Sequence, residues 1–109
     1  MVPPPAQRNP VAIEFPARSV LLTEEARALL PQLVARSKTA SAIQVMGFCD
    51  KAQASNAREI AIGRGIAVRN ELVRLGVPAA KLKVRYTTTE PQRHAVDLTF
   101  EEAGATPAK

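Results

Sequence analysis

A strand-like run that stops at a glycine, an acidic turn, and a long helical pattern that stops at Gly-Val-Pro constrain this chain more than any other stretch. Ile43 and Val45 alternate with their neighbours up to Gly47, and Asp50 lies in the turn that follows. From Ser55, Ala61, Gly65, Val68, Leu72 and Leu75 recur at helical spacing, with Ile60, Ile62 and Ile66 widening the apolar side. Leu75-Gly76-Val77-Pro78 ends the helix, because glycine accepts the left-handed cap and proline cannot continue the hydrogen-bond ladder. A strand feeding a helix this directly brings the strand's carboxyl end and the helix's first turns to one lip, where open α/β sheets hold ligands. Asp50 and Arg64 are the charged candidates there.

The flanking segments complete a layered pattern. Val11, Ile13 and Phe15 alternate with Ala12 and Glu14 as a half-buried strand that Pro16 ends. Thr23 is placed to cap a helix with Glu24 and Glu25 at its positive end, and Ala26, Leu29, Leu30, Leu33 and Val34 give it a core face through about Lys38. Pro31 lies inside that pattern, where it removes an amide donor and crowds the carbonyl of Arg27, at a cost of about 3 kcal/mol in a straight helix. A kink or a late start is expected. Thr39 to Ser41 reads as a connection, and residues 42–46 as the second strand. After one turn at Ala79–Lys81, Leu82, Val84 and Tyr86 alternate as a third strand; Thr87 to His94 is a polar connection; Val96, Leu98 and Phe100 form a fourth. The expected fold is an α/β two-layer sandwich of order β-α-β-α-β-β, with a mixed four-stranded sheet, helices on one face and a parallel crossover in the middle. Pro3, Pro4, Pro5 and Pro10 mark residues 1–10 as an extended linker, residues 11–100 form the domain, and residues 101–109 read as a disordered tail. Gly63 and Gly65 each cost the second helix up to about 1 kcal/mol against alanine, which close approach to the sheet would justify.

Composition narrows the chemistry. With 109 residues, 46% hydrophobic and only 4% aromatic, the chain can build one two-layer core from Leu, Val, Ile and Ala. A net charge of +5 favours acidic partners such as nucleic acid, anionic lipid or a cell-wall polymer. Nucleic acid is not expected, because Arg58, Arg64, Arg69 and Arg74 scatter around the helix with no aromatic among them. The lone Cys49 excludes an internal disulfide and a cysteine zinc cluster. Asp50 has no close carboxylate and His94 is distant in sequence, which argues against a metal, and Cys49 with His94 lacks the spacing of a nucleophile and its base. Neither an enzyme nor a cofactor is expected. No apolar run reaches the length of a membrane span, so membrane contact is expected only through an anchor or a partner.

The run Gly47-Phe48-Cys49-Asp50, the stretch Ile60 to Val68 around Arg64, and Leu72, Gly76 and Val77 after it resemble the OmpA-like peptidoglycan-binding domain found at the C-termini of OmpA and MotB. That family shows G-H-T-D, a short loop, a helix with R-A at its centre, and a G-[VI] stop. The likeness extends to Ile13-Glu14-Phe15, the Leu22–Leu33 helix and Val96-Asp97-Leu98, and so covers nearly all of residues 11–100. Phe48 and Cys49 stand where the family has His and Thr, Ala61 stands for Ser, Gly65 for Ala, and Asn56 lies one residue early. The segment that carries N-R-R in the family shrinks here to Thr87–Ala95.

The resemblance implies a non-catalytic module in the periplasm, attached to the outer membrane or envelope, that binds peptidoglycan through the diaminopimelate of its stem peptide. It implies Asp50 and Arg64 as principal ligand residues, with Cys49 and Asn56 beside them. Diaminopimelate carries an ammonium and a carboxylate on one carbon, so a carboxylate and a planar guanidinium on adjoining elements suit it. Asp50 would take the ammonium and Arg64 the carboxylate. A plain surface salt bridge between the two, worth about 0–1 kcal/mol, is the alternative. Cys49 is expected as a free thiol packed near the strand end. Such a module would tether a lipoprotein, pilus or secretion apparatus to the wall; in the rival reading the same fold is degenerate and serves as a protein-interaction part of such a machine.

Overall fold

A computed structural model describes residues 10–16, 19–50, 56–89 and 94–102. Strand β1 (Val11–Glu14) is followed by helix α1 (Glu24–Leu29), a 3-10 turn (Leu30–Leu33), helix α2 (Val34–Thr39), strand β2 (Ala40–Phe48), helix α3 (Ala57–Arg74), a second 3-10 turn (Ala79–Lys81) and strands β3 (Leu82–Thr87) and β4 (Ala95–Glu102). The sheet runs in the order β1-β4-β2-β3, with β2 and β3 parallel and β4 antiparallel to both β1 and β2. The mixed four-stranded sheet is the one expected. The parallel pair follows from the α3 crossover, and β4 enters the sheet between β1 and β2.

The conflict at Pro31 is resolved by a change of helix type. Thr23 Oγ1 accepts the Ala26 amide at 3.1 Å and starts α1, which then tightens into the 3-10 turn with Pro31 in its first positions before α-geometry resumes at Val34. Leu30 and Leu33 still reach the core with no exposed surface. The interruption therefore keeps the apolar face while the missing amide falls where a helix start has no need of it.

Two strand boundaries differ from those expected. β2 begins at Ala40, so Thr39 to Ser41 is no loop, and it passes through Gly47 to Phe48 because β3 and β4 both pair with it there. A register shift between Ala40 and Ala42 absorbs one residue. β4 runs to Glu102, with Glu101 opposite Ala42, so the sheet enters what reads as tail. The remainder of the tail, most of the linker and the start of the second helix at Ser55 lie outside the described residues.

Side chains alternate cleanly across the sheet. Val11, Ile13, Ile43, Val45, Leu82, Val96, Leu98 and Phe100 meet Leu30, Leu33, Val68 and Leu72 in one core. Ala12, Glu14, Gln44, Lys83, Arg85 and Thr99 sit on the other face, exposed or half-buried. Helix α3 is seated unusually close to β2: a Cβ added to Gly47 would lie 2.0 Å from the Ala61 carbonyl oxygen. Gly65 faces Val84 and Val45, as close approach to the sheet requires, whereas Gly63 faces Val20 of the segment that crosses the helix. Ile66 does not widen the buried side; it is 41% exposed. The helix ends as its sequence dictates: Gly76 has φ 107°, its amide bonds the Val73 carbonyl, and the Val77 amide bonds the Leu72 carbonyl at 2.9 Å. That is the Schellman arrangement.

Candidate functional site

The carboxyl end of β2, the second turn of α3, the residues after β1 and the residue before β4 converge on one side chain. Arg64 has no exposed surface, and its guanidinium is tied to three chain segments. Nε donates to the Ser19 carbonyl at 2.7 Å, Nη2 to the Pro16 carbonyl at 2.9 Å, and Nη1 to the Phe48 carbonyl at 2.8 Å. Nη1 also lies 3.2 Å from His94 Nδ1, which must accept, because a guanidinium nitrogen can only donate. The Phe15 ring lies 5.5 Å from Cζ. Burial lowers the Arg64 pKa from its ordinary value, and the neighbouring Cys49 opposes that shift. The group nonetheless keeps its charge, as arginine does in proteins.

These partners are three backbone carbonyls, an imidazole nitrogen and an aromatic face, with the Cys49 side chain beside them. The sequence marks Arg64 as a charged ligand candidate at the lip between the strand end and the helix. The structure threads its side chain into the space between the β1 and β2 ends, because position 64 lies on the core flank of α3 beside Ala61 and Val68.

Asp50 lies two residues beyond the end of β2 and is itself buried, with 7% of its surface exposed. Cys49 is buried beside it, packed with Ala57, Ile60 and Ala61, and its thiol donates weakly to the Asp50 carbonyl at 3.9 Å. The Cys49 amide bonds the Thr87 carbonyl at 3.3 Å, which fixes the turn to the end of β3. Cys49, Asp50 and Arg64 are therefore gathered at one end of the sheet, and Cys49 is a free thiol. Asn56 is exposed at the start of α3, where its carbonyl accepts the Ile60 amide and its side chain makes no capping bond. Among the described residues, no group of three His, Cys, Asp or Glu could hold a metal ion, and no helix is long and apolar enough to cross a membrane.

His94 is the residue that sequence distance hid. It lies 30 positions from Arg64, yet β4 runs antiparallel to β2, so the residue before β4 lands beside the residue after β2. Its own carbonyl accepts the Phe15 amide at 2.9 Å, which ties the end of β1 to the same place. The signal lay in the strand order, and no local motif carries it.

Compared with known families, residues 15–101 match the OmpA family. The chain belongs to the OmpA family. Solved structures agree on the fold of this OmpA-family chain. The peptidoglycan-associated lipoprotein of Burkholderia pseudomallei superposes with a TM-score of 0.75 at 22% identity, covering 88% of this chain and 92% of that one. The C-terminal domain of Helicobacter pylori MotB gives 0.74 at 16% identity, covering 85% of each chain. The OmpA-like domain of FopA1 from Francisella tularensis gives 0.69 at 15% identity, covering 86% of this chain and 75% of that one. No curated protein sequence matches significantly.

Proposed function

We propose that this OmpA-family domain is a non-catalytic peptidoglycan-binding module of the bacterial periplasm, and that the zwitterionic head of diaminopimelate in the stem peptide is its ligand. The observation that supports it is the gathering of the buried Arg64 guanidinium with Asp50 and Cys49 at the carboxyl end of β2. Three of the Arg64 contacts are to backbone and cannot be exchanged without moving a strand end. The fourth, to the half-buried His94 ring, can be exchanged by a side-chain rotation. A ligand carboxylate would take the place of His94 Nδ1 on Nη1, replacing a neutral acceptor with an anion, which makes a shorter and stronger bond. Asp50 would take the ammonium group. Cys49 would pack beneath, and Asn56 would stand at the rim. In this reading the module holds an envelope protein to the wall, and any membrane attachment lies in an anchor or a partner.

Titration of diaminopimelate or a stem peptide, followed by backbone amide shifts, tests the proposal. Shifts centred on Gly47–Asp50, Arg64 and His94, lost in Asp50→Asn and Arg64→Lys but kept within a few-fold in Cys49→Ser, are the expected result. No shift at millimolar ligand would defeat it. A second reading, a degenerate domain serving as a protein-interaction part of a secretion, conjugation or pilus machine, is favoured by one observation: the guanidinium is already enclosed by the chain's own carbonyls.

A further inference from the structure

The free edge of β3 differs in character from the rest of the surface. Among the described residues no strand lies beyond β3. The carbonyl of Thr87 points to the β2 side, since it accepts the Cys49 amide. In an extended strand the amide and carbonyl of successive residues point to alternate sides, so Arg85 and Lys83 also address β2. Val84 and Tyr86 consequently direct their N–H and C=O groups outward, while the Leu82 amide bonds the Ala79 carbonyl of the preceding turn. The side chains alternate the other way. Val84 faces Gly65 of α3, and Tyr86, on the same face and 41% exposed, lies under the Arg58 guanidinium at 5.7 Å. The half-buried Ile62, one turn on from Arg58, shares that flank of the helix. Lys83 and Arg85 project from the opposite face and are exposed.

From this we infer that the β3 edge takes up an extended partner segment by strand addition, and that the segment alternates apolar with acidic side chains. Its backbone would pair with Val84 and Tyr86. Its apolar row would fall against Tyr86 and Ile62 in the corner between α3 and the sheet, and its acidic row beside Lys83 and Arg85. A second copy of this chain is a poor occupant, because edge-to-edge pairing would set Lys83 and Arg85 against their own counterparts, and like charges across strands repel. The same cations that keep two copies apart select an acidic strand. Residues 1–9 and 103–109 do not supply one, because neither stretch contains an acidic residue.

The probe is a synthetic peptide alternating valine with glutamate, titrated into the 109-residue chain. The expected result is slowed amide exchange and shifts at Val84 and Tyr86, with no change at Gly47–Asp50. The double variant Lys83→Glu, Arg85→Glu should bind that peptide at least about tenfold more weakly and should take up a valine–lysine peptide instead. A backbone N-methylated version of the probe should not bind the unaltered protein, a readout that does not depend on any variant folding. Equal binding of the N-methylated peptide, of polyglutamate or of an anionic polysaccharide would show a diffuse charge effect and overturn strand addition. Unchanged affinity in the folded double variant would overturn the charge selection.

Discussion

Replacing Gly47 with alanine should be the most damaging single-methyl change in this domain. The added Cβ would lie 2.0 Å from the Ala61 carbonyl oxygen and 2.9 Å from its carbon. A carbon–oxygen contact closes at about 3.3 Å, so α3 would have to withdraw from β2 by more than about 1 Å. Both sides of the clash are backbone, and neither can rotate away. Withdrawal would also loosen Ala61, Val68 and Leu72, which are fully buried, and a gap of about 0.5–1 Å forfeits a quarter to a half of each dispersion contact. Overpacking ordinarily costs about 1–3 kcal/mol, and this case belongs at or above the upper end. The two glycines within α3 provide the control. At Gly65 a Cβ meets Val84 Cγ1 at 2.9 Å, a side chain that can turn, and alanine returns about 1 kcal/mol of helix propensity, so a net loss below about 1 kcal/mol is expected. At Gly63 the neighbour is the exposed Val20 side chain at 3.0 Å, and Gly63→Ala should be neutral or stabilising by up to about 1 kcal/mol. Urea denaturation of the three variants gives the order directly. A Gly47→Ala protein within about 0.5 kcal/mol of the parent, the usual range of surface changes, would refute the seating of α3 on β2.

Leu72→Ala should cost about 2–5 kcal/mol in the same assay, because Leu72 is completely buried, while Ile66→Ala on the outer side of α3 should stay within about 0.5 kcal/mol. Arg64→Lys keeps a charge but cannot satisfy the Pro16, Ser19 and Phe48 carbonyls together, and each buried acceptor left unpaired costs about 1–3 kcal/mol; a thermal melt unchanged from the parent would show that those carbonyls find water. On α3 the Arg74 guanidinium hydrogen-bonds Glu71, with Nε donating at 3.0 Å, and holds the Glu71 carboxyl below its ordinary value. A lowered folded-state value means that this stabilisation is present above the ordinary carboxylate range and is lost as pH falls through the folded value. Glu71→Gln should therefore flatten the acid limb of the stability profile and leave the alkaline side unchanged in shape.

The local elements were legible because their causes are local. Thr23 caps a helix by reaching its own third neighbour, Leu75-Gly76-Val77-Pro78 stops one through bonds that close within six residues of chain, and apolar alternation marks Val11–Ile13, Leu82–Tyr86 and Val96–Phe100 as strands wherever they pair. The mixed sheet and the OmpA-like order followed from those elements and from the resemblance carried by Gly47, Asp50 and Arg64. The tertiary structure decided the rest. It gave Gly47 its meaning, since only the seating of Ala61 shows that this glycine is a contact point inside a strand and no strand end. It extended β2 back to Ala40 and β4 on to Glu102, because strand length is set by what lies alongside. And it placed Arg64: a charged residue two turns into a helix reads as an exposed head group, but the carbonyls of Pro16, Ser19 and Phe48 and the ring of His94 come from three separate parts of the chain, and only their convergence makes burying that charge possible.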